Sequence, residues 1–527
     1  MADFIEEFIF YGDDLKIERF PKETQLIFAN PPMQSVKDVE LAVTEALDNP
    51  LKAESLEKQL NPSSRVTIAF DDPCLPIPLM RSDIRGRVIE VLLKRLFALG
   101  IGKEHIRLIC ANGLHRKWTL DELSLILGKN VIKEMGPERI SCHDATDDKE
   151  LVFLGSTDSG HEVEINRAVT ESDITIYVNI NCTTMNGGWK SILVGLGSWR
   201  SIRRHHTPRQ WNLKTSIMNP ETNPMHKILR EMGALVRQKC NIFQVESVVN
   251  NSTWPPHLDK ILCPINHPGR SGSPGIPTRA MLTLASAAPR KVKRLIRNAL
   301  RSNYQLCSIS AGDIDEVHRH TLERLCKQQN VRVENSVDVL IFGVPNLSPY
   351  SSRSIFNPIL LRGLVLGYLL GTFYRRPLLK KGGILVAYNP GIEKFHPLHH
   401  PSYIDFWKKD IEIFYNPEEC WNELSESYAQ NPEYIRKYRD HYAYHGAHCL
   451  INWMWSGMGM KHPGAVILAG AKEPDTARKL GFTAARDFNT AAAMAREWAG
   501  SNAAIAYQVM PPVFCVDIDG DAADDQA

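Results

Sequence analysis

The chain has 527 residues, 43% hydrophobic and 23% charged, enough for two or three domains with ordinary soluble cores. A net charge of +2 supplies no field for nucleic acid or an acidic membrane surface, so neither is expected as a partner. Eleven scattered cysteines without a C-x-x-C pair exclude a disulfide scaffold and a zinc knuckle, and the acidic start MADFIEEFIF lacks a secretory signal, so a cytoplasmic protein is expected.

Short β-branched runs alternate with helical patterns, which predicts an α/β architecture. In chain order, Arg65–Phe70 reads as a buried strand, Ser82–Leu99 as a helix, Ile106–Ala111 as a strand and Thr119–Leu127 as a helix. Thr119 and Glu122 have the spacing of a capping box at that helix start. Asp173–Ile180 reads as a strand, His226–Gln238 as a helix and Phe243–Val249 as a strand; Cys263–Pro277, rich in Pro, Gly and Ser, reads as a loop. Beyond the basic helix Arg290–Arg301, a helix is expected over Asp313–Gln328 and strands over Val337–Phe342 and Gly383–Tyr388. Helices should span about Pro417–Tyr442, then a strand at Ala465–Ala469, two helices and a strand at Ala503–Gln508. The apolar stretch Ile355–Tyr374 has nearly spanning length, but Pro358 and Arg362 inside it favour a buried helix over a membrane span. The division expected is two α/β domains, 1–290 and 291–511, with a ligand cleft between them, followed by an acidic disordered tail, 512–527.

Ligands bind outside the carboxyl ends of strands in such sheets. Five polar loops leave strand ends: Asp71–Pro73, Asn112–Arg116, Asn179–Lys190, Asn346–Arg353 and Asn389–His400. On residue chemistry alone, His115 suits an acid–base role, and the commoner alternative is a loop histidine that caps backbone groups. Gly187, Gly188 and Lys190 resemble a phosphate cradle without Walker A spacing, and equally a turn beside a solvated lysine. In SWRSIRRHH, Trp199, Ile202 and His206 share a helix face, with His205 turned about 100° away. His206 therefore suits nickel, zinc or copper ligation, or a satisfied core histidine.

Together and in this order, these pieces resemble the nickel-pincer-dependent lactate racemase family, from about Arg65 to Pro511. The densest stretches are CHDATDDKELVFLGST, GGWKSILVGLGSW, RHHTP and NPMH, and the sixteen-residue interval from Lys190 to His206 is the specific part. The resemblance implies that a nickel-pincer nucleotide is joined to Lys190 through a thioamide, with His206 as nickel ligand. Asp72, Gly187 and Gly188 belong to the cofactor-binding set. It implies that His115 is a catalytic base in proton-coupled hydride transfer at the α-carbon of a 2-hydroxy acid, and that separate biosynthetic enzymes load the cofactor.

Three departures accompany it. The family's arginine three residues after the aspartate is Leu75 here, and its second catalytic histidine, about ten residues before the lysine, falls in Asn179–Thr183, which has none. The family's Tyr-Gln-Lys substrate loop reads Tyr350-Ser351-Ser352-Arg353, so Tyr350 is expected to be retained and Arg353 to hold the substrate carboxylate. These changes predict a racemase or epimerase of an acid other than lactate. The loop EKFHPLHHP, at the place of a substrate-pocket tryptophan in the family, is expected to supply the second base from His399 or His400. A one-sided hydride-transfer enzyme and a non-catalytic nickel-nucleotide binder remain open, as does a homo-oligomer.

Overall fold

The computed structural model describes residues 4–255 and 275–518. The first sheet has six strands in the order Leu306–Gly312, Ile242–Val249, Ile174–Asn181, Val66–Asp71, Ile106–Ala111 and Ile140–Cys142. All neighbours are parallel except the first pair. The central strands are nearly all apolar because helices cover both faces. Ile68 and Phe70 pack with the helices Ile84–Ala98 and Leu120–Met135, while Ala69 and Tyr177 face Trp189 and Ile192 on the other side. That second apolar cluster runs on without a break to Leu340 and Phe342 of the other sheet.

The second sheet has eight strands. Thr483–Ala485, Ala465–Ala469, Leu379–Tyr388, Val337–Pro345, Phe4–Gly12 and Asp14–Pro21 lie in that order, and Ile505–Gln508 with Gln25–Ile27 join along Val337–Pro345. Only Asp14–Pro21 runs antiparallel to its neighbour.

Most expected elements form within two or three residues of their bounds, and the Thr119–Glu122 capping box is present. The strands, however, do not divide at residue 290. Phe4–Gly12 and Gln25–Ile27 belong to the later sheet, and Leu306–Gly312 belongs to the earlier one. Short strands carry no signal of which distant edge they complete. The start of the expected tail is not disordered: Cys515–Ile518 pairs in parallel with Asn330–Val333 and is almost wholly buried. Most of the loop expected at Cys263–Pro277 lies outside the described residues, as do 519–527.

The stretch at 355–374 is a buried helix, Pro358–Arg362, continuing into a wider π-helical turn, Gly363–Leu369. Arg362 is 1% exposed, yet it donates to Ser456 Oγ (2.9 Å) and to the carbonyls of Leu480 and Trp453, and it lies over the Trp453 ring. No described helix is long and apolar enough to cross a membrane.

Thr119→Ala should lower stability by about 1 kcal/mol, because Glu122 N loses its side-chain acceptor at the helix start. A urea titration should show a lower midpoint at unchanged slope.

Candidate functional site

The strand Val66–Asp71 delivers two adjacent carboxylates to its carboxyl end. Their backbone is held by Arg85, a fully buried side chain whose Nη1 donates to the carbonyls of Asp71 and Asp72, each at 2.8 Å. The same guanidinium grips Asp83 through Nε and Nη2. Asp71 accepts from Tyr177 Oη (3.0 Å) and Ile180 N (3.2 Å), and burial pushes its carboxyl up to about 6. Asp72 turns to His115: Oδ2 lies 2.9 Å from Nδ1 and also accepts from Trp118 Nε1, while Oδ1 accepts from Cys74 N. Burial works to raise the Asp72 carboxyl, but His115 and the Cys74 hydrogen bonds hold it below its usual range. Asp72 thus orients His115 and lines the same cavity. His115 reaches this position through the turn at Gly113, whose φ of +51° and close approach to the Val194 carbonyl suit glycine alone.

A second loop carries Lys190. Its Nζ donates to Met185 O and Asn186 Oδ1, both at 3.1 Å, and burial pulls the ammonium down to about 8. Gly187 and Gly188 have φ of +92° and +54°, as a tight loop requires. They do not form a phosphate cradle. Gly188 N donates to the buried Glu246 carboxylate at 2.7 Å, and a Cβ on either glycine would strike His318. A carboxylate already occupies the anion's place.

The helix Trp199–His205 ends one residue before His206, whose backbone (φ −111°, ψ 70°) leaves the helix. The expected phase therefore fails at its last residue. Both histidines are buried, Trp199 stacks near His445, and His206 packs on Trp211 instead. His206 Nδ1 lies 3.2 Å from Ile202 O and 3.0 Å from His205 Nδ1. A carbonyl can only accept, so Nδ1 carries the proton and Nε2 keeps its lone pair. Burial, then the charge of Lys190, pulls the His206 imidazolium down to about 3, so the ring is neutral at physiological pH.

Asp72, His115, Gly187, Lys190, His206 and Tyr350 line one cavity of about 290 Å³. Four of the five expected loops contribute to it; the fifth, Asn389–His400, does not. His399 Nδ1 is bonded to Ser354 Oγ (2.9 Å), and His400 is fully buried against Ser354 and Asn357. Neither reaches the cavity, because the intervening turn consumes both rings as structural partners. Arg353 also points elsewhere: at φ +54° its side chain turns out to Glu122, with Nε 3.3 Å from the carboxylate. Lys190 is the only lysine or arginine among the lining residues.

Tyr350 was expected in the pocket, but sequence reasoning missed its partner Tyr368 and two other neighbours of His115, His448 and Cys74. Tyr350 meets the His115 ring edge-on at 5.1 Å, and its phenol pairs with Tyr368 Oη at 2.6 Å. His448, on the helix His448–Met460, lies 5.4 Å from the His115 ring, stacks on Tyr444 and bonds Tyr403 through Nδ1 (2.7 Å). Its helix is apolar nearly all round, so no pattern marked that histidine. Cys74 places a thiol beside Asp72 and His115, and the three donors lie within 4.8 Å of one another. A divalent ion there would have to displace the proton in the His115–Asp72 hydrogen bond, so ion and dyad exclude each other.

Residues 11–216 match the lactate racemase N-terminal domain. Over this stretch the chain resembles lactate racemases. Within the matched region, identity is 30% over 190 residues to the lactate racemase of Lactiplantibacillus plantarum, covering 35% of this chain and 42% of that one. It is 25% over 218 residues to the lactate racemase of Thermoanaerobacterium thermosaccharolyticum, covering 40% and 47%. The matched stretch thus spans less than half of either curated relative. The solved lactate racemase apoprotein from Thermoanaerobacterium thermosaccharolyticum shares the fold over 97% of this chain and all of its own, with a TM-score of 0.64 at 18% identity. Lys190, His206 and the Asp72–His115 dyad fall inside the matched region, while Met218, Tyr350 and Tyr368 lie beyond it.

The Lys190 ammonium gives a direct test. Its folded value near 8 lies below the ordinary 10.5, so between those limits the unfolded chain binds more protons and stability rises with pH. The penalty is complete below pH 8 and gone above 10.5. Lys190→Met should therefore stabilise the unloaded protein by about 1–3 kcal/mol at pH 7, and the gain should fade across that window in denaturant titrations.

Proposed function

We propose that this protein racemises or epimerises C2 of a 2-hydroxy acid, in a cavity completed by a nickel-pincer nucleotide joined to Lys190 and ligated by His206. One observation carries the reading: a partly neutral buried amine, a neutral imidazole with a free Nε2 and an aspartate-held histidine line the same cavity.

The residues fit such a group. Acylation of Lys190 needs its amine uncharged, and burial favours that form. Ligation through His206 needs Nε2 unprotonated, which the Ile202 carbonyl ensures by holding the proton on Nδ1. When bound, the group supplies an acceptor for the hydrogen and electron pair of C2.

His115 then takes the substrate hydroxyl proton at Nε2 while Asp72 steadies the resulting imidazolium through Nδ1. The edge of Tyr350 fixes the ring plane. Burial raises the Tyr350 phenol well above its ordinary value, so it serves as hydrogen-bond donor and never as base near neutral pH. Trp211, Leu364 and Leu369 line the apolar wall that keeps water from the reacting centre. Separate biosynthetic enzymes supply the loaded state. Arg353 is directed at Glu122 and does not line the cavity.

A second reading has its own support. Apart from His206, His115 is the only cavity-lining histidine among the described residues. A single base suits hydride transfer at one face of a hydroxy acid, giving oxidation or isomerisation without inversion.

With protein co-expressed with cofactor-loading enzymes, Lys190→Ala should abolish the covalent mass increase, and undiminished adduct would sink the assignment. In deuterated water, one enantiomer should invert without deuterium at C2, because the hydrogen travels as hydride; solvent deuterium at C2 would instead mean proton abstraction. His115→Ala should slow inversion roughly hundred-fold or more while the adduct mass persists. Loss of adduct in that variant would show a structural role.

A further inference from the structure

The loop that contributes nothing to the first cavity has a place in another. We propose that this second cavity, of about 220 Å³, binds a nucleoside di- or triphosphate.

Four adjacent strands of the second sheet, Phe4–Gly12, Val337–Pro345, Leu379–Tyr388 and Ala465–Ala469, run parallel and end at the same edge. Each is followed directly by residues of this cavity: Asp13, Asn346, Pro390 with Lys394, and Lys472. After Gly12 the chain turns to Asp14–Pro21 on one side, whereas after Pro345 it proceeds to Leu379–Tyr388 on the other. Connections that part in this way open a crevice at the carboxyl ends of the strands, the ordinary ligand position in an open α/β sheet. The crevice is built closely. Gly12, at φ +63°, admits Pro390 and Asn346 near its α-carbon, Asn346 Nδ2 donates to Asp13 Oδ2 at 3.0 Å, and Lys472 N donates to Pro390 O at 2.9 Å.

Its charge is strongly one-sided. Asp13 and Asp14 are paired with Arg297 and Lys293. No carboxylate among the described residues pairs with Arg290, Lys291, Arg294, Lys394 or Lys472, although all five line the cavity. A second observation points the same way. On the helix Arg290–Ala299, Arg290, Lys293, Arg294 and Arg297 share one face at i, i+3, i+4 and i+7, and that face lines the cavity. Val292, Leu295 and Ile296 are 42%, 67% and 62% exposed on the opposite side. A surface helix ordinarily buries its apolar stripe and solvates its charges; this one does the reverse, which gathers cations where an anion would sit.

A single phosphate carries about −1.5 to −2, well short of five unpaired cations, whereas a di- or triphosphate comes close. Buried Ile355, with Phe356, Pro390 and Ile392, forms an apolar wall beside the cations. An inorganic polyphosphate leaves that wall unused, and a nucleoside's planar base covers it.

Isothermal titration of the full chain with ATP, ADP, pyrophosphate, citrate and adenosine tests this. ATP and ADP should bind saturably at one per chain, more tightly than pyrophosphate or citrate, and adenosine should not bind. Lys394→Ala/Lys472→Ala removes two exposed ammonium groups without touching the core, so its melting temperature should be unchanged and its ATP affinity at least roughly tenfold weaker. Lys190→Ala should bind ATP as the parent does. The proposal falls if ATP shows no saturable binding at about 1 mM, or if the folded double variant binds it equally well. It falls also if Lys190→Ala loses ATP binding, which would locate the nucleotide in the first cavity, or if pyrophosphate matches ADP.

Discussion

Arg85 holds the end of one strand, and the rest of the site hangs from that end. Its guanidinium is withdrawn from water and satisfied by the Asp83 carboxylate and two backbone carbonyls. A buried pair of this kind adds little net stability, but removing one partner leaves an uncompensated charge and costs about 3–5 kcal/mol. Its value is positional. With Asp71 and Asp72 fixed, one carboxylate braces the neighbouring strand through Tyr177 and Ile180, and the next one sets His115.

Desolvation prepares the remaining groups for their chemistry. A lysine in water is an ammonium and a poor nucleophile; burial brings Lys190 within reach of its neutral form at physiological pH. An exposed histidine is readily protonated near neutral pH, yet His206 is kept neutral by burial and by the Lys190 charge. Tyr350 and Tyr368 are held as phenols by the same effect, so their mutual hydrogen bond persists and keeps Tyr350 against His115. The wall that excludes water is thus also what selects the protonation states.

The second sheet serves two spaces from one strand end. Beyond Val337–Pro345, Leu347, Pro349 and Tyr350 face the first cavity, while Asn346, Ile355 and Phe356 face the second. A polar loop after a strand end therefore announces a ligand site without saying which one. That is how Asn389–His400 came to be expected beside His115, although Pro390, Ile392 and Lys394 line the basic crevice instead.

By itself the sequence determined the α/β class, most central strands and helices and the Thr119 cap. These depend on local periodicity, capping chemistry and short-range spacing, all properties of contiguous residues, whereas the grouping of His115, Lys190, His206 and Tyr350 came from the resemblance to lactate racemases. Only the tertiary structure decided that Phe4–Gly12 completes the later sheet, that the helix ends before His206, that Arg353 meets Glu122, and that His399 and His400 bond Ser354. It alone brought His448 against His115 across more than three hundred residues. Which side chain enters a cavity is settled by competition among distant partners for the same hydrogen-bonding groups. A one-residue change in where a helix ends, or a single positive φ, changes the winner without leaving a mark on the pattern of hydrophobic and polar residues.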